Sequence, residues 1–350
     1  MGKSFAIMDT GSKSVTALAV TWTRGGEYIL EAFCRMSSRG IDRGTITDLG
    51  LATDCISDVL TELKKKAKRD IHDVYAGVSS PSVKLTKTAG TILLSKHGKE
   101  ISERDVKKCI EVAAEIKNPI NKEALHKLVR TFTLDGEAGI RDPLNLEGVK
   151  LEADVNVLTI NSSVLWNISK CIANAGFVPA GFVFSGLASS HRVLNEEDRY
   201  KGVLLMNLRK SLTETMIFDK GSLDDCRVYP VGTDDFLFEE NNVIEGALAK
   251  LSKSIMSISE WGKVRKIVAV GEGALDECLI TKLEDIFAVP VKPGRCIVRP
   301  FEDLPADKGG YVTGLGILDH LLDEKKTNNN MGSIFRETAH RITSFIDKYF

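Results

Sequence analysis

The sequence has no run approaching the ~20 consecutive apolar residues that a membrane-spanning helix needs, so any membrane contact is made from the surface. It has no excess of charge of one sign either. Its 47 Lys and Arg stand against 48 Asp and Glu, a formal net charge of -1. That balance argues against a general nucleic-acid binder, which is usually basic, and against an acidic disordered chain. The cysteines (Cys34, Cys55, Cys109, Cys171, Cys226, Cys278 and Cys296) are odd in number, widely spaced and without a C-x-x-C pair. This speaks against a disulfide framework or a zinc site and for a reducing cytoplasm. The histidines (His72, His97, His126, His191, His320 and His340) lack ligand spacing, and no Ser/His/Asp triad is visible, so no metal centre is expected. The start, Met1 to Ile7, lacks a signal-peptide layout.

What is present is an α/β pattern long enough, at 350 residues, for two or three domains. Strands are expected at Phe5–Met8, Val15–Thr21, Tyr28–Cys34 and Val74–Val78. A helix capped by Asp48 runs to about Ala67, with Leu51, Ile56, Val59, Leu60 and Leu63 at helical spacing. The basic run Lys64–Arg69 ends that helix and complements its C-terminus, with lipid or nucleic-acid contact as the alternative. Residues 81–153 read as an inserted unit. It contains a strand at Val83–Thr86, a helix opened by Ser102-Glu103-Arg104-Asp105, a strand near Leu128–Phe132 and a Gly, Asp and Pro-rich loop from Gly136 to Gly148. A buried strand then resumes at Val155–Ile160, followed by a helix at Val164–Ala175, a strand at Val178–Phe184 and a helix from Gly186.

From Gly202 the opening pattern repeats: an apolar strand at Val203–Leu208, an alternating one at Leu212–Phe218 and a third at Arg227–Val231. Asp9 superimposes on Asn207. Such a repeat implies two related α/β lobes. The second lobe is completed by a helix at about Asn242–Trp261, a strand at Ile267–Val270, a strand at Val289–Val291 and a helix ending near Leu322.

The hairpin sequence Asp9-Thr10-Gly11-Ser12-Lys13 and the glycine turn Val270-Gly271-Glu272-Gly273-Ala274 resemble the actin, Hsp70 and sugar-kinase superfamily. There, glycines and hydroxyls let backbone N–H groups approach phosphate, and an acid can hold a hydrated Mg²⁺. Three segments narrow the resemblance to the FtsA family of actin-like bacterial division proteins: Ser38-Arg39-Gly40-Ile41-Asp42-Arg43-Gly44, Asp142–Leu151 and Phe184–Ser190. The resemblance implies an actin-like fold of duplicated lobes carrying the inserted subdomain 1C (SHS2). Lobe 1 would take 1–80 and 154–200, 1C 81–153, and lobe 2 201–323. It implies ATP and Mg²⁺ as ligands, with Asp9, Gly11, Ser12, Lys13 and Asn207 on the phosphate side and Gly271 and Gly273 on the adenosine side.

The chain departs from that pattern twice. The second hairpin reads Asn207-Leu208-Arg209-Lys210-Ser211-Leu212-Thr213-Glu214, with an amide for the acid and no glycines. Side chains at positions needing close backbone approach obstruct a phosphate cradle. Arg209 and Lys210 would then attract phosphate by charge only, or simply form an exposed turn. Second, only residues 233–267 separate the hairpin from the adenosine-side strand, leaving no chain for the FtsA subdomain 2B, which receives FtsZ.

A polar linker at 324–331 precedes an amphipathic segment at 332–350 with Ser333 as N-cap. At ~100° per residue, Ile334, Phe335, Ile342, Phe345, Ile346 and Phe350 share one face, and Arg336, Arg341 and Lys348 fall on the other half. The expectation is an FtsA-like adaptor, not a turnover enzyme, on the cytoplasmic side of the inner membrane at the division septum. Its expected partners are the lipid surface, FtsZ or other divisome proteins and its own copies. The alternatives are a PilM- or GspL-like scaffold of a pilus or secretion machine, or an actin-fold ATPase.

Overall fold

The computed structural model describes residues 3–23, 27–115, 121–237, 244–294 and 311–327. The chain divides into two units, one formed by Ser82–Ser162 and the other by the residues on either side of it.

The flanking unit opens with β1 (Lys3–Thr10), β2 (Ser14–Trp22) and β3 (Tyr28–Ser37). The β1–β2 hairpin turns at Gly11, whose N–H donates to the Ser14 carbonyl at 3.2 Å. A ribbon of β4 (Ile41–Asp42) and β5 (Thr45–Ile46) leads to α1 (Leu49–Ala67). Asp48 caps α1 by accepting from the Leu51 N–H, and Lys68 ends it in the left-handed conformation. Ala52, Cys55, Ile56, Val59, Leu60 and Leu63 form its buried stripe. The two glycines bracketing the ribbon are required by the backbone. Gly40 has φ +69 and a Cβ there would lie 2.5 Å from the Asp48 carbonyl oxygen. Gly44 has φ +70 and presses on the Ser79 carbonyl. The strand β6 (Asp73–Val78) then runs parallel to β1.

The Ser82–Ser162 unit contains β7 (Lys84–Leu93), β8 (Lys99–Glu100), α2 (Glu103–Ala114), β9 (Lys122–Leu134), β10 (Glu137–Ile140), β11 (Glu147–Gly148) and β12 (Lys150–Asn161). Its sheet has the order β10-β9-β12-β7, with β8 and β11 as a separate ribbon. Ser102 and Asp105 form a reciprocal capping box at the start of α2. Gly90 of β7 lies directly beneath the backbone of Ala113, so α2 sits close on the sheet, with its Cys109 and Ala113 packed in one cluster with Phe132, Leu151, Val155 and Val157. Two expectations are corrected here. The sequence boundary at 153 falls inside β12, which is one strand from Lys150 to Asn161, paired on both sides over Leu151–Thr159. Strands β7 and β9 also exceed the stretches at Val83–Thr86 and Leu128–Phe132. Pairing along β12 carries both through polar, half-exposed positions that lack an apolar signal.

The flanking unit resumes with α3 (Ser162–Asn174), β13 (Val178–Phe184), α4 (Ser185–Val193) and α5 (Glu196–Lys201). It continues with β14 (Val203–Leu208), β15 (Thr213–Asp219), β16 (Ser222–Tyr229), α6 (Thr233–Leu237), α7 (Ile244–Met256), β17 (Lys266–Val270), α8 (Glu277–Phe287), β18 (Val291–Pro293) and α9 (Val312–Thr327). Its two five-stranded sheets have orders β13-β6-β1-β2-β3 and β18-β17-β14-β15-β16. They are the same arrangement twice: a meander of three strands with two parallel strands added beyond the first. The registers agree as well. Asp9 pairs with Thr16 and Asn207 with Glu214, positions related by the offset that places Asp9 on Asn207. The fold is actin-like, with duplicated lobes.

One element departs from its expected lobe. Helix α9, assigned from sequence to the second lobe, belongs to the first: Tyr311, Leu315, Ile317 and Leu318 pack with Phe5, Ile7, Leu18 and Val183. It also runs to Thr327, so Glu324 to Thr327 continue the helix instead of opening a linker. The helix expected at Asn242–Trp261 stops at Met256, and Trp261 sits in a short 3₁₀ turn at Ser259–Lys263.

Candidate functional site

The turns of the two duplicated hairpins meet. Arg209, the first residue of the β14–β15 turn, occupies the repeat position equivalent to Gly11, and its side chain reaches the other lobe. Its Nη2 donates to Asp9 Oδ2 at 2.8 Å and its Nη1 to Asp9 Oδ1 at 3.3 Å. The guanidinium also lies 3.7 Å from Glu214 Oε1. Gly11 makes room for it, since a Cβ there would fall 2.7 Å from Arg209 Nη2. Both partners are nearly excluded from water, with side chains 12% and 8% exposed. A bidentate, charge-assisted pair of this kind is among the stronger polar contacts available to a protein.

Neighbours fix the pair in place. Ser185 donates to Asp9 Oδ1 at 3.2 Å, and Asn207 Nδ2 donates to Glu214 Oε2 at 3.0 Å. Around the rim, Ser211 donates to the Ser12 hydroxyl at 2.7 Å, and the Arg43 N–H faces both hydroxyls at 3.1 and 3.2 Å. The Arg209 carbonyl accepts from the Thr233 N–H at 2.9 Å. Burial opposes the Arg209 charge, but Asp9, Glu214 and Glu272 outweigh it and raise its pKa above the ordinary arginine value. Burial pushes the Glu214 carboxyl up, against the pull of Arg209.

What remains open beside Arg209 is a cavity of about 20 Å³ lined by Asp9, Asn207, Arg209, Gly271, Glu272 and neighbouring residues. That is room for about one water molecule. A Mg-nucleotide does not fit this arrangement. The acid that would face a hydrated cation is already bonded to a guanidinium, and the second turn offers side chains where a phosphate would need bare backbone.

Of the residues expected at a nucleotide site, Asp9, Asn207 and Gly271 line this cavity. Gly11 lies under the arginine and Ser12 bonds to Ser211. Lys13 is exposed at the turn, where its carbonyl accepts from the Ser38 N–H at 3.1 Å. Gly273 packs beneath Leu208 and Thr233, and Gly271, at φ +84, passes within reach of the Asn207 side chain. The expected exposed turn is therefore corrected. Lys210 is half-exposed beside Asp234, whereas Arg209 is buried and engaged. Sequence reasoning missed Arg209, Glu214 and Glu272 as members of one cluster. The available signal was the repeat itself, which sets a large cation in one turn opposite a glycine in the other. The expected membrane-facing residues, Ile334, Phe335, Arg336, Arg341, Ile342, Phe345, Ile346, Lys348 and Phe350, lie outside the described residues. Among the described residues no helix is long and apolar enough to cross a membrane, and no His, Cys, Asp and Glu cluster suits a metal ion.

Residues 81–159 match the family described as the SHS2 domain inserted in FtsA. The curated cell division proteins FtsA are similar over most of the chain: 29% identical in Borreliella burgdorferi over 64% of this chain, and 26% in Pseudomonas aeruginosa over 67%. In Escherichia coli the identity is 25% over 75% of this chain. The chain carries an SHS2 domain of the FtsA type and is similar to FtsA proteins beyond it. It spans about half the length of these relatives, the matched shares of which are 54%, 55% and 60%. Among solved structures, a chain of a PilM–PilN type IV pilus biogenesis complex has a TM-score of 0.62 at 15% identity, covering 91% of this chain and 98% of that one. At that identity the likeness speaks to the fold alone. The segment that the family model matches, 81–159, nearly coincides with the Ser82–Ser162 unit.

Proposed function

We propose that this chain is an FtsA-like recruitment protein of the bacterial division apparatus, whose work is binding and not turnover. The observation that carries this reading is the FtsA-type SHS2 unit inserted into a duplicated actin-like body. In this reading residues 332–350 form the amphipathic helix that meets lipid on the cytoplasmic face of the inner membrane. An isolated helix of that length is marginal in water, so it folds as it binds. One tail attaches reversibly, and several tails on an assembled polymer hold firmly by avidity.

The partners in this reading are FtsZ or other divisome proteins and further copies of the chain. The elements described between β16 and β17 are α6, α7 and a 3₁₀ turn, which supports a 2B subdomain that is reduced or absent. An FtsZ contact is then made elsewhere on the body. The test is co-sedimentation of the full chain with FtsZ and with vesicles containing anionic lipid, alongside imaging of a fluorescent fusion in dividing cells. Septal bands that require residues 332–350 are expected. Diffuse fluorescence, with no lipid or FtsZ co-sedimentation, overturns the reading and leaves the pilus-type scaffold as the alternative.

A further inference from the structure

We propose that Arg209 is a permanent strut that takes the place of a ligand in the cleft, so that the chain itself holds the two hairpins together and the body does not respond to ATP or ADP. This inference concerns the cleft alone and stands apart from the division role.

Four features of the cleft lead to it. The contact is bidentate and joins residues far apart in sequence, Arg209 on the second hairpin to Asp9 on the first. Gly11 leaves the guanidinium room in its present seat, where a Cβ would fall 2.7 Å from Nη2 and 2.9 Å from the Ser14 carbonyl oxygen. The cluster already supplies the guanidinium with its counter-charges and hydrogen-bond acceptors. The guanidinium faces the carboxylates of Asp9 and Glu214, which Ser185 and Asn207 also bond, and the Ser12–Ser211 hydroxyl pair closes the rim. Finally, the space left over is about 20 Å³, enough for water and not for a phosphate chain.

A cleft held by an exchangeable ligand opens when the ligand leaves. A cleft held by a tethered cation has an effective ligand concentration that never falls, so its closed state is independent of the nucleotide pool. For nucleotide to enter, Arg209 would have to leave Asp9 and Glu214 as buried, uncompensated carboxylates, which is strongly unfavourable.

The experiment uses the full chain and the variants Arg209→Ala, Arg209→Lys, Asp9→Asn and the Arg209→Ala/Asp9→Asn double variant. Wild-type protein is first titrated with Mg-ATP and Mg-ADP by calorimetry and by thermal unfolding. No saturable heat and no rise in the midpoint at millimolar nucleotide are expected; saturable binding with a raised midpoint overturns the proposal. Urea unfolding then measures coupling. Each single alanine or asparagine change is expected to lower the folding constant by about 100-fold or more, with the double variant close to the worse single. Additive losses overturn the strut. If Arg209→Ala does not fold, Arg209→Lys, which keeps the charge and loses the bidentate geometry, serves in its place. Amide exchange supplies a readout that a purely local role would not move. Arg209→Lys or Arg209→Ala is expected to speed exchange at residues 11–16 in the opposite lobe, and unchanged exchange there overturns the inference.

Discussion

Asn207 donates to Glu214 at 3.0 Å across the β14–β15 pair, at the register where Asp9 faces Thr16 in the duplicate sheet. The amide is what this position requires once Arg209 has one carboxylate on each side, because it adds a donor to Glu214 without adding charge. Asn207→Asp replaces that donor with a second buried carboxylate against Glu214. The variant is expected to lose about 2 kcal/mol or more at pH 7, and less at pH 4 to 5, where protonation relieves the repulsion. Urea denaturation at the two pH values measures this.

Gly44 and Gly136 separate the two costs of a left-handed glycine. Both have positive φ, but Gly44 presses on the Ser79 carbonyl while nothing lies within 4 Å of a Cβ on Gly136. Gly136→Ala is therefore expected to cost about 1 kcal/mol, from backbone strain alone. Gly44→Ala is expected to cost several times more or to prevent soluble expression. Thermal midpoints of the two variants, compared side by side, test the difference.

His320 gives the molecule an acid-side sensitivity. Burial, aided by the charge of His191 and opposed by Asp323, lowers its pKa from 6.5 to about 3. The folded chain keeps this ring neutral, whereas the unfolded chain takes up a proton below pH 6.5. Its contribution is thus complete above pH 6.5 and declines as the pH falls toward 3. His320→Gln is expected to flatten the stability profile between pH 6 and 4. The Asp105 carboxyl, held at about 2 by Lys99 and Ser102, affects only a lower window, below 3.8. Denaturant midpoints of wild type and variant across pH 4 to 7 read out the slope.

The capping box of α2 is a local test of the SHS2 unit. Ser102 accepts from the Asp105 N–H, and the Asp105 carboxylate accepts from both the N–H and the hydroxyl of Ser102. Ser102→Ala is expected to cost about 1 kcal/mol and to speed amide exchange in the first turn of α2. Exchange in β1 and β14 should stay unchanged.

On the proposed membrane reading, Phe345→Glu places a charge at the centre of the apolar sector and is expected to release the protein from anionic vesicles. Arg341→Ala is expected to matter much less, since the segment's net charge is small. Vesicle flotation distinguishes the two.

The duplicated architecture was legible because each hairpin carries its own local signals: alternating apolar residues, glycine or polar turns, and a common spacing. The helix caps at Asp48 and Ser102 were legible for the same reason, being contacts between residues three apart. The destination of α9 was not. Its apolar residues, interspersed with Gly314 and Gly316, identify a buried helix but not the sheet it covers, and only packing against Phe5, Ile7 and Leu18 decides that. The role of Arg209 was hidden in the same way. A cation in a turn reads as solvated until a distant glycine turn is brought against it. The missing glycines were readable as a loss, while the ion pair that replaced them is a long-range contact.

The seating of α9 has a mechanical consequence. Gly316 lets the helix backbone lie directly on the Ala188 carbonyl, Thr313 shares a hydroxyl contact with Ser189 at 3.2 Å, and Asp319 meets Arg192 at 3.1 Å. These three contacts are spaced along one side of the helix, so tension along its axis loads them together in shear instead of peeling them one by one. Any pull transmitted through the chain beyond Thr327 thus enters at the α4–α9 pair under the first sheet. Thr313 and Ser189 also line the cavity beside Arg209, so their contact carries that load to the wall of the cleft.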